Sequence, residues 1–383
     1  MVLSESVRKT SNVRMLFLCL AAALSMAFGA TPAKAAEGKQ DGHGFSSSKT
    51  CGECHKDIYS SFGRSLHSLS YSNPIFQLAY SKAYLETKGA ARESCLKCHA
   101  PLAAPMRDMD VAQPVTAEGV TCDFCHSVES VDPGSSQPFK LDPSGKKRAS
   151  LKDAKSPAHS AAYANWFNKS EMCAPCHEIT SVHGMKTATT YSEWKASDYA
   201  KEGVQCQGCH MPPVSGKTAA SKASSVNYHD HSLSHDLERM KGAVKLEIAR
   251  AGQSKGDRYI VDVNATNVRA GHSIPTGTQP RELVIEVTVR DSSGRSETQR
   301  KTLGKKIASV TGAPIGPGGD ACVGGHKMLE NTSLKSKEKR QVRFMFTGAF
   351  TGNVSVSADA HLVYAPVVTA VENVRIPLGS VAR

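Results

Sequence analysis

The sequence predicts an α+β protein in two parts. The first is mostly helical and looped with little regular sheet, and the second is an all-β, immunoglobulin-like sandwich. Three observations carry this expectation. From about Val244 onward, apolar and polar residues alternate. Before that point apolar spacing is helical and broken by turn residues. Ten of the twelve cysteines fall in five copies of one short pattern, all in the first part.

The chain has 383 residues, enough for two domains. Residues 1–35 read as a signal peptide. Arg8, Lys9 and Arg14 form a basic start, Met15 to Ala30 an apolar stretch, and Ala33-Lys34-Ala35 a cleavage site. Cys19 leaves with it, and no later stretch is apolar enough to span a bilayer. The net charge of +12 falls to about +9 in the mature chain. Aromatic residues make up 6% and hydrophobic residues 40%, a modest supply for a core this size. Something other than side chains is expected to fill part of it.

The five copies are CGECH (51–55), CLKCH (95–99), CDFCH (122–126), CAPCH (173–177) and CQGCH (206–210). Cys-x-x-Cys-His is the attachment signature of c-type haem. Two thiols on one helical turn reach the vinyl groups on one edge of a porphyrin, and the following histidine ligates the iron. Zinc sites, redox dithiols and structural disulfides also use cysteine pairs, but none needs a histidine after every pair. Five covalent haem c groups are therefore expected. Cys51, Cys54, Cys95, Cys98, Cys122, Cys125, Cys173, Cys176, Cys206 and Cys209 form the thioethers, and His55, His99, His126, His177 and His210 are the proximal ligands. Haem propionates would bring the charge near about +4, so the lysines and arginines do not read as a nucleic-acid surface.

Domain boundaries follow: signal peptide 1–35, pentahaem domain 36–240, β-sandwich 244–383. The haem part allows under 40 residues per haem, so the haems must share walls. DIYSSFGRSLHSL (57–69) predicts a helix, with Ile58, Phe62, Leu66 and Leu69 on one side. TYSEWKASDYAKEG (190–203) predicts another, with Ser192 as N-cap. Residues 127–158, rich in Pro, Gly, Ser and Lys, predict a surface loop. In the second part VKLEIAR, RYIVDVNATNV, ELVIEVTVRD, QVRFMFTG and NVSVSADAHLVY read as strands, with DSSG (291–294) a hairpin turn. GAPIGPGGDACVGGHK (312–327) is a Gly/Pro-rich excursion in which Cys322 reads as a buried thiol.

Ten histidines lie outside the motifs. His67, His272, His235, His159 and His183 are the candidates for the distal ligands, with His229, His231 and His43 behind them. His272 stands in RAGHSIPTGT (269–278), where Pro275 and Gly277 stiffen a loop of the β part. A bond from His272 to an iron of the first part would join the two.

Four pieces together resemble the cytochrome c-554 family of multihaem c-type cytochromes. They are CGECHKDIYSSFGRSLHS, TYSEWKASDYAKEGVQCQGCHMP, DHSLSHD and GHSIPTG, and they span most of residues 50–290. The resemblance implies a periplasmic or extracellular electron carrier with mainly bis-histidine haems, some of which can be five-coordinate in that family. The leading functional reading is an exported electron carrier in a respiratory chain. Its partners would be other cytochromes or a membrane quinol-oxidising complex. A second reading is a reductase of a small nitrogen or sulfur compound with one open haem. A third is a haem-chain filament subunit in which His43 ligates a haem of the next protomer. No serine or cysteine nucleophile arrangement and no phosphate loop stands out.

Overall fold

In the computed structural model, residues 44–220, 222, 225–233, 240–254, 256–316, 321–364 and 374–383 are described. Up to residue 240 the elements are short. The helices are Ser48–Cys54, Lys56–Phe62, Pro74–Glu86, Ala91–His99, Pro114–Ala117, Cys122–His126, Ala174–His177, Thr190–Lys195, Asp198–Lys201 and Cys206–His210. Between them lie two-stranded ribbons. These are β1 (Val128–Val131) with β2 (Phe139–Leu141), β3 (Lys147–Ala149) with β4 (Ala161–Tyr163), β5 (Glu178–Thr180) with β6 (Lys186–Thr189), and β7 (Pro213–Gly216) with β8 (Val226–His229).

Three local expectations need correction. The helix expected over 57–69 ends at Phe62, with Gly63 as its C-cap. The chain then turns sharply, with the Ser68 N–H and hydroxyl both bonded to Ser65. The turn leaves Leu66 and Leu69 exposed and brings His67 inward, so the apolar spacing there does not mark one helical face. The helix expected over 190–203 is two pieces, capped by Thr189 and Ser197. Ser192 lies inside the first, its hydroxyl donating to Glu178. Residues 127–158 are not all loop. They hold the β1–β2 hairpin and β3, tied down by buried Arg148, whose guanidinium donates to Asp142 at 2.8 Å.

From Val244 the strands are long: β9 (Val244–Ser254), β10 (Arg258–Asn267), β11 (Arg281–Asp291), β12 (Ser296–Ala308), β13 (Lys327–Asn331), β14 (Lys339–Thr347), β15 (Val354–Tyr364) and β16 (Val374–Ala382). They form two antiparallel sheets, ordered β14-β10-β9 and β13-β12-β11-β15-β16. Side chains alternate across each sheet, so every second residue meets the facing sheet. In β14, Val342, Phe344 and Phe346 point inward while Arg343 and Met345 point out. They pack with Val261 and Val263 of β10 and with Ile285, Val287, Ala358 and Ala360 of the other sheet. A smaller core of Phe45, Leu102, Met106, Val115, Val120 and Phe124 lies among the motif helices. The excursion after β12 makes a helical turn, Ala321–Gly324, and buries Val323 against Ala83 and Ala91 beside Cys95. The described residues belong to one compact unit.

Candidate haem-binding site

Each motif is a helical turn. Ser47 caps the first, accepting from the Lys49 N–H, and Thr121 caps the third, accepting from the Phe124 N–H at 2.9 Å. This conformation puts the paired cysteines on one side and carries the next histidine past them. No disulfide joins any of the eleven described cysteines.

Four of the motif histidines face a second histidine from elsewhere in the chain. Ring centres lie 6.3 Å apart for His55 and His159, 6.2 Å for His177 and His67, 6.4 Å for His126 and His231, and 6.2 Å for His210 and His272. Two imidazoles on opposite faces of one metal ion, each bound through nitrogen at about 2 Å, hold their ring centres roughly 6 Å apart. The four pairs have the spacing of axial ligand pairs.

Hydrogen bonds select the ligating nitrogen. The Nδ1–H of His99 donates to Ser70 O at 2.8 Å, that of His126 to Arg148 O at 2.6 Å, and that of His231 to His229 O at 2.6 Å. His272 donates to Ser273 O at 3.0 Å, His159 to Ser160 O at 3.2 Å, and His55 to Thr218 O. Each bond places the proton on Nδ1 and leaves the Nε2 lone pair for a metal. Burial favours the neutral form of several motif histidines and of the rings facing them. It pushes His177 down to about 3, with the neighbouring His67 ring adding to the effect. His210 and His231 fall to about 4, mainly by burial, and burial also lowers His67, His126 and His272. His177 and His210 nonetheless count among the exposed residues of the polypeptide. Paired donors and fixed tautomers beside the cysteine turns fit covalent haem.

Sequence-predicted positions divide as follows. The structure brings His67, His159 and His272 each opposite a motif histidine, and the partners come from distant motifs. His67, sixteen residues from Cys51, faces His177 of the fourth motif and not His55 of the first. His183 is exposed in a turn, its ring 5.7 Å from that of His326, and it meets no motif histidine among the described contacts. The fourth facing histidine is His231, ranked behind His183 on sequence. No local pattern separates the two; only the hydrogen bond from His231 Nδ1 and its position over the third motif do. His235 and His43 lie outside the described residues. Phe76 stacks on His99 at 3.8 Å. We expect His183→Ala to leave the visible spectrum of the holoprotein unchanged and His231→Ala to produce a high-spin band. Optical spectra of the two variants check this.

The cysteines also show which motifs are neighbours. Cys51 and Cys122 lie close enough for each thiol to act on the other, as do Cys98 and Cys176, and Cys173 and Cys206. Cys125 lies close enough to Cys173 and Cys176 to act on both. The first motif thus neighbours the third, the third neighbours the fourth, and the fourth neighbours both the second and the fifth. Cys54 and Cys209, in the first and fifth motifs, are the exposed thiols among the described cysteines.

Comparison with known proteins agrees with this geometry. The family model for cytochrome c554 and c-prime matches residues 50–127. A search of curated proteins finds no match. A penta-haem cytochrome c552 from Thermochromatium tepidum has a similar fold, with a TM-score of 0.69 and 19% identity, over 89% of this chain and 99% of that one. The sporulation control protein Spo0M from Bacillus subtilis aligns over 37% of this chain and 48% of its own at a TM-score of 0.15 and 12% identity, too little for an argument. No helix among the described residues is long and apolar enough to cross a membrane. The repeated Cys-x-x-Cys-His turns, a segment at 50–127 similar to cytochrome c554 and c-prime, and this shared fold support a multihaem c-type cytochrome.

Proposed function

We propose that the protein is an exported pentahaem electron carrier of a respiratory chain, and the observation that carries this is the set of four histidine pairs at 6.2–6.4 Å. A covalently bound haem supplies a one-electron couple. Histidines on both faces would close four of the five irons to substrate and hold the same ligand set in both oxidation states. Neutral imidazoles whose Nδ1–H groups are held by backbone carbonyls would tune the couple. The chain of neighbouring cysteines supports a branched order: first, third, fourth, with the second and fifth both joined to the fourth. The CAPCH motif is then the junction, and the exposed edges at Cys54 and Cys209 are where redox partner proteins dock. The basic, apolar and Ala-x-Ala run at 1–35 supports export to the periplasm or beyond.

We also propose that the chain divides into a haem domain at 36–240 and an immunoglobulin-like domain at 244–383. The strand order supports this. The first, second and sixth long strands form one sheet, and the third, fourth, fifth, seventh and eighth form the other, a two-sheet antiparallel arrangement that sandwiches of that kind share.

The mature holoprotein should have the intact mass of the chain plus five haems. The fully reduced protein should pass electrons to another c-type cytochrome. Offered nitrite, hydroxylamine or sulfite in excess, it should not turn over. Sustained turnover of any of these would move the assignment to a reductase.

A further inference from the structure

We propose that Glu193 is the positioning residue for the iron held between His210 and His272. It fastens the loop that presents His272 to the segment that leads into the fifth motif. The proposal rests on reading His210 and His272 as opposite ligands of one iron.

Glu193 lies on the helix Thr190–Lys195, and His272 on the loop between β10 and β11. One carboxylate oxygen, Oε2, accepts from the Ser273 N–H at 3.2 Å and from the Thr276 hydroxyl at 2.7 Å. These donors follow His272 by one and four residues, so the carboxylate grips the loop beside the ligand. The other oxygen, Oε1, accepts from the Thr189 hydroxyl at 2.8 Å and lies 3.5 Å from the Lys305 ammonium. Lys305 donates to Thr189 Oγ1 at 3.0 Å and to Gly277 O at 2.9 Å, closing the circuit at the far end of the loop. The Thr276 hydroxyl donates its hydrogen bond to Glu193, so Thr190 is the donor to Thr276 across 2.8 Å.

Little water reaches this network. The Glu193 and Lys305 side chains are 14% and 4% exposed. Charged hydrogen bonds there are strong, and each member depends on the others. The same segment supports the loop by packing and also leads into the other ligand. A Cβ at Gly271 would sit in ordinary contact with Tyr199 and Trp194, 3.4–3.5 Å away, so the backbone before His272 runs beside them. The Trp194 ring N–H donates to Val204 O at 2.9 Å, just before Cys206. One rigid segment therefore holds His210 on one side and, through Glu193, His272 on the other. An axial bond across two chain segments needs such a joint, because a shift of a fraction of an ångström at either end weakens it.

The test uses the full-length holoprotein, with spin state read by EPR and optical spectra, cyanide as the probe, and thermal melting alongside. His272→Ala should give one high-spin, cyanide-binding iron at every temperature; if it stays low-spin, the ligand reading itself falls. Glu193→Gln should keep all haems by intact mass. It should show a high-spin fraction that grows on warming well below its melting point and a cyanide affinity at least about tenfold above the native protein. Thr276→Val, which removes one of the bonds, should show a smaller effect of the same sign. It also serves if Glu193→Gln loses haem during maturation. The double variant Glu193→Gln with Lys305→Met removes both buried charges and should regain the melting temperature lost by Lys305→Met alone. Its high-spin fraction should persist. Glu202→Gln, at an exposed ion pair 2.9 Å from Lys337, should match the native protein. The proposal fails if Glu193→Gln stays low-spin and cyanide-inert up to melting. It also fails if the high-spin fraction disappears in the double variant together with the stability defect.

Discussion

Replacing His67 by alanine is expected to turn one iron per chain high-spin and to slow electron passage through the whole protein. The His67 ring faces His177 at 6.2 Å, and no other described histidine ring is placed to take over. His177 belongs to the fourth motif, whose cysteines neighbour those of the second, third and fifth. Opening this iron should change its potential and add reorganisation at the junction that, in the proposed order, joins the first and third motifs to the second and fifth. Transfer between the first and fifth motifs should fall by about tenfold or more, a barrier increase of about 1.4 kcal/mol per factor of ten. His159→Ala provides the contrast. It opens the iron on His55, at one end, and should leave traffic among the second, fourth and fifth motifs intact. Flash reduction with time-resolved spectra separates the two. Added imidazole should return the His67→Ala protein to low spin and restore the rate. Equal kinetics in both variants would contradict the branched order.

A comparably large effect on stability is expected at Phe344. Its side chain is fully buried between the sheets, next to Phe346 and the valines of β10. Phe344→Ala leaves a cavity in a closely packed core and should cost about 3–5 kcal/mol. Met345, on the same strand, is 52% exposed, and Met345→Ala should stay within about 0.5 kcal/mol. Calorimetry on the holoprotein measures both. The β-core also carries the loop of His272, so the Phe344 variant should lose low-spin character at the iron on His210 as it approaches melting.

What the sequence reveals follows from how local each interaction is. Attachment of a haem requires two thiols and an imidazole within five consecutive residues, so the ligands His55, His99, His126, His177 and His210 are legible directly. The strands are legible for a similar reason. Residues 342–346 alternate because one side of β14 packs on the facing sheet while the other meets water. The opposite ligands depend on which distant segment crosses a motif, and nothing in the neighbourhood of His67 says that it belongs with His177. His183 and His231 both sit in polar turns; only the fold puts one in the open beside His326 and the other over His126. The helix expected over 57–69 fails because the chain ends it at Gly63 and turns through Ser65 and Ser68. Leu66 stays exposed so that the backbone can turn and deliver His67. Glu193 could not be singled out either. Its role depends on Ser273 and Thr276, some eighty residues away.

The central claim is that four irons are closed by the pairs His55–His159, His177–His67, His126–His231 and His210–His272. The most direct measurement is an EPR spectrum of the oxidised holoprotein, taken with and without cyanide and nitric oxide and integrated per chain. The account predicts low-spin ferric signals from at least these four irons, unchanged by either ligand. High-spin, ligand-responsive signals from two or more irons per chain would contradict it.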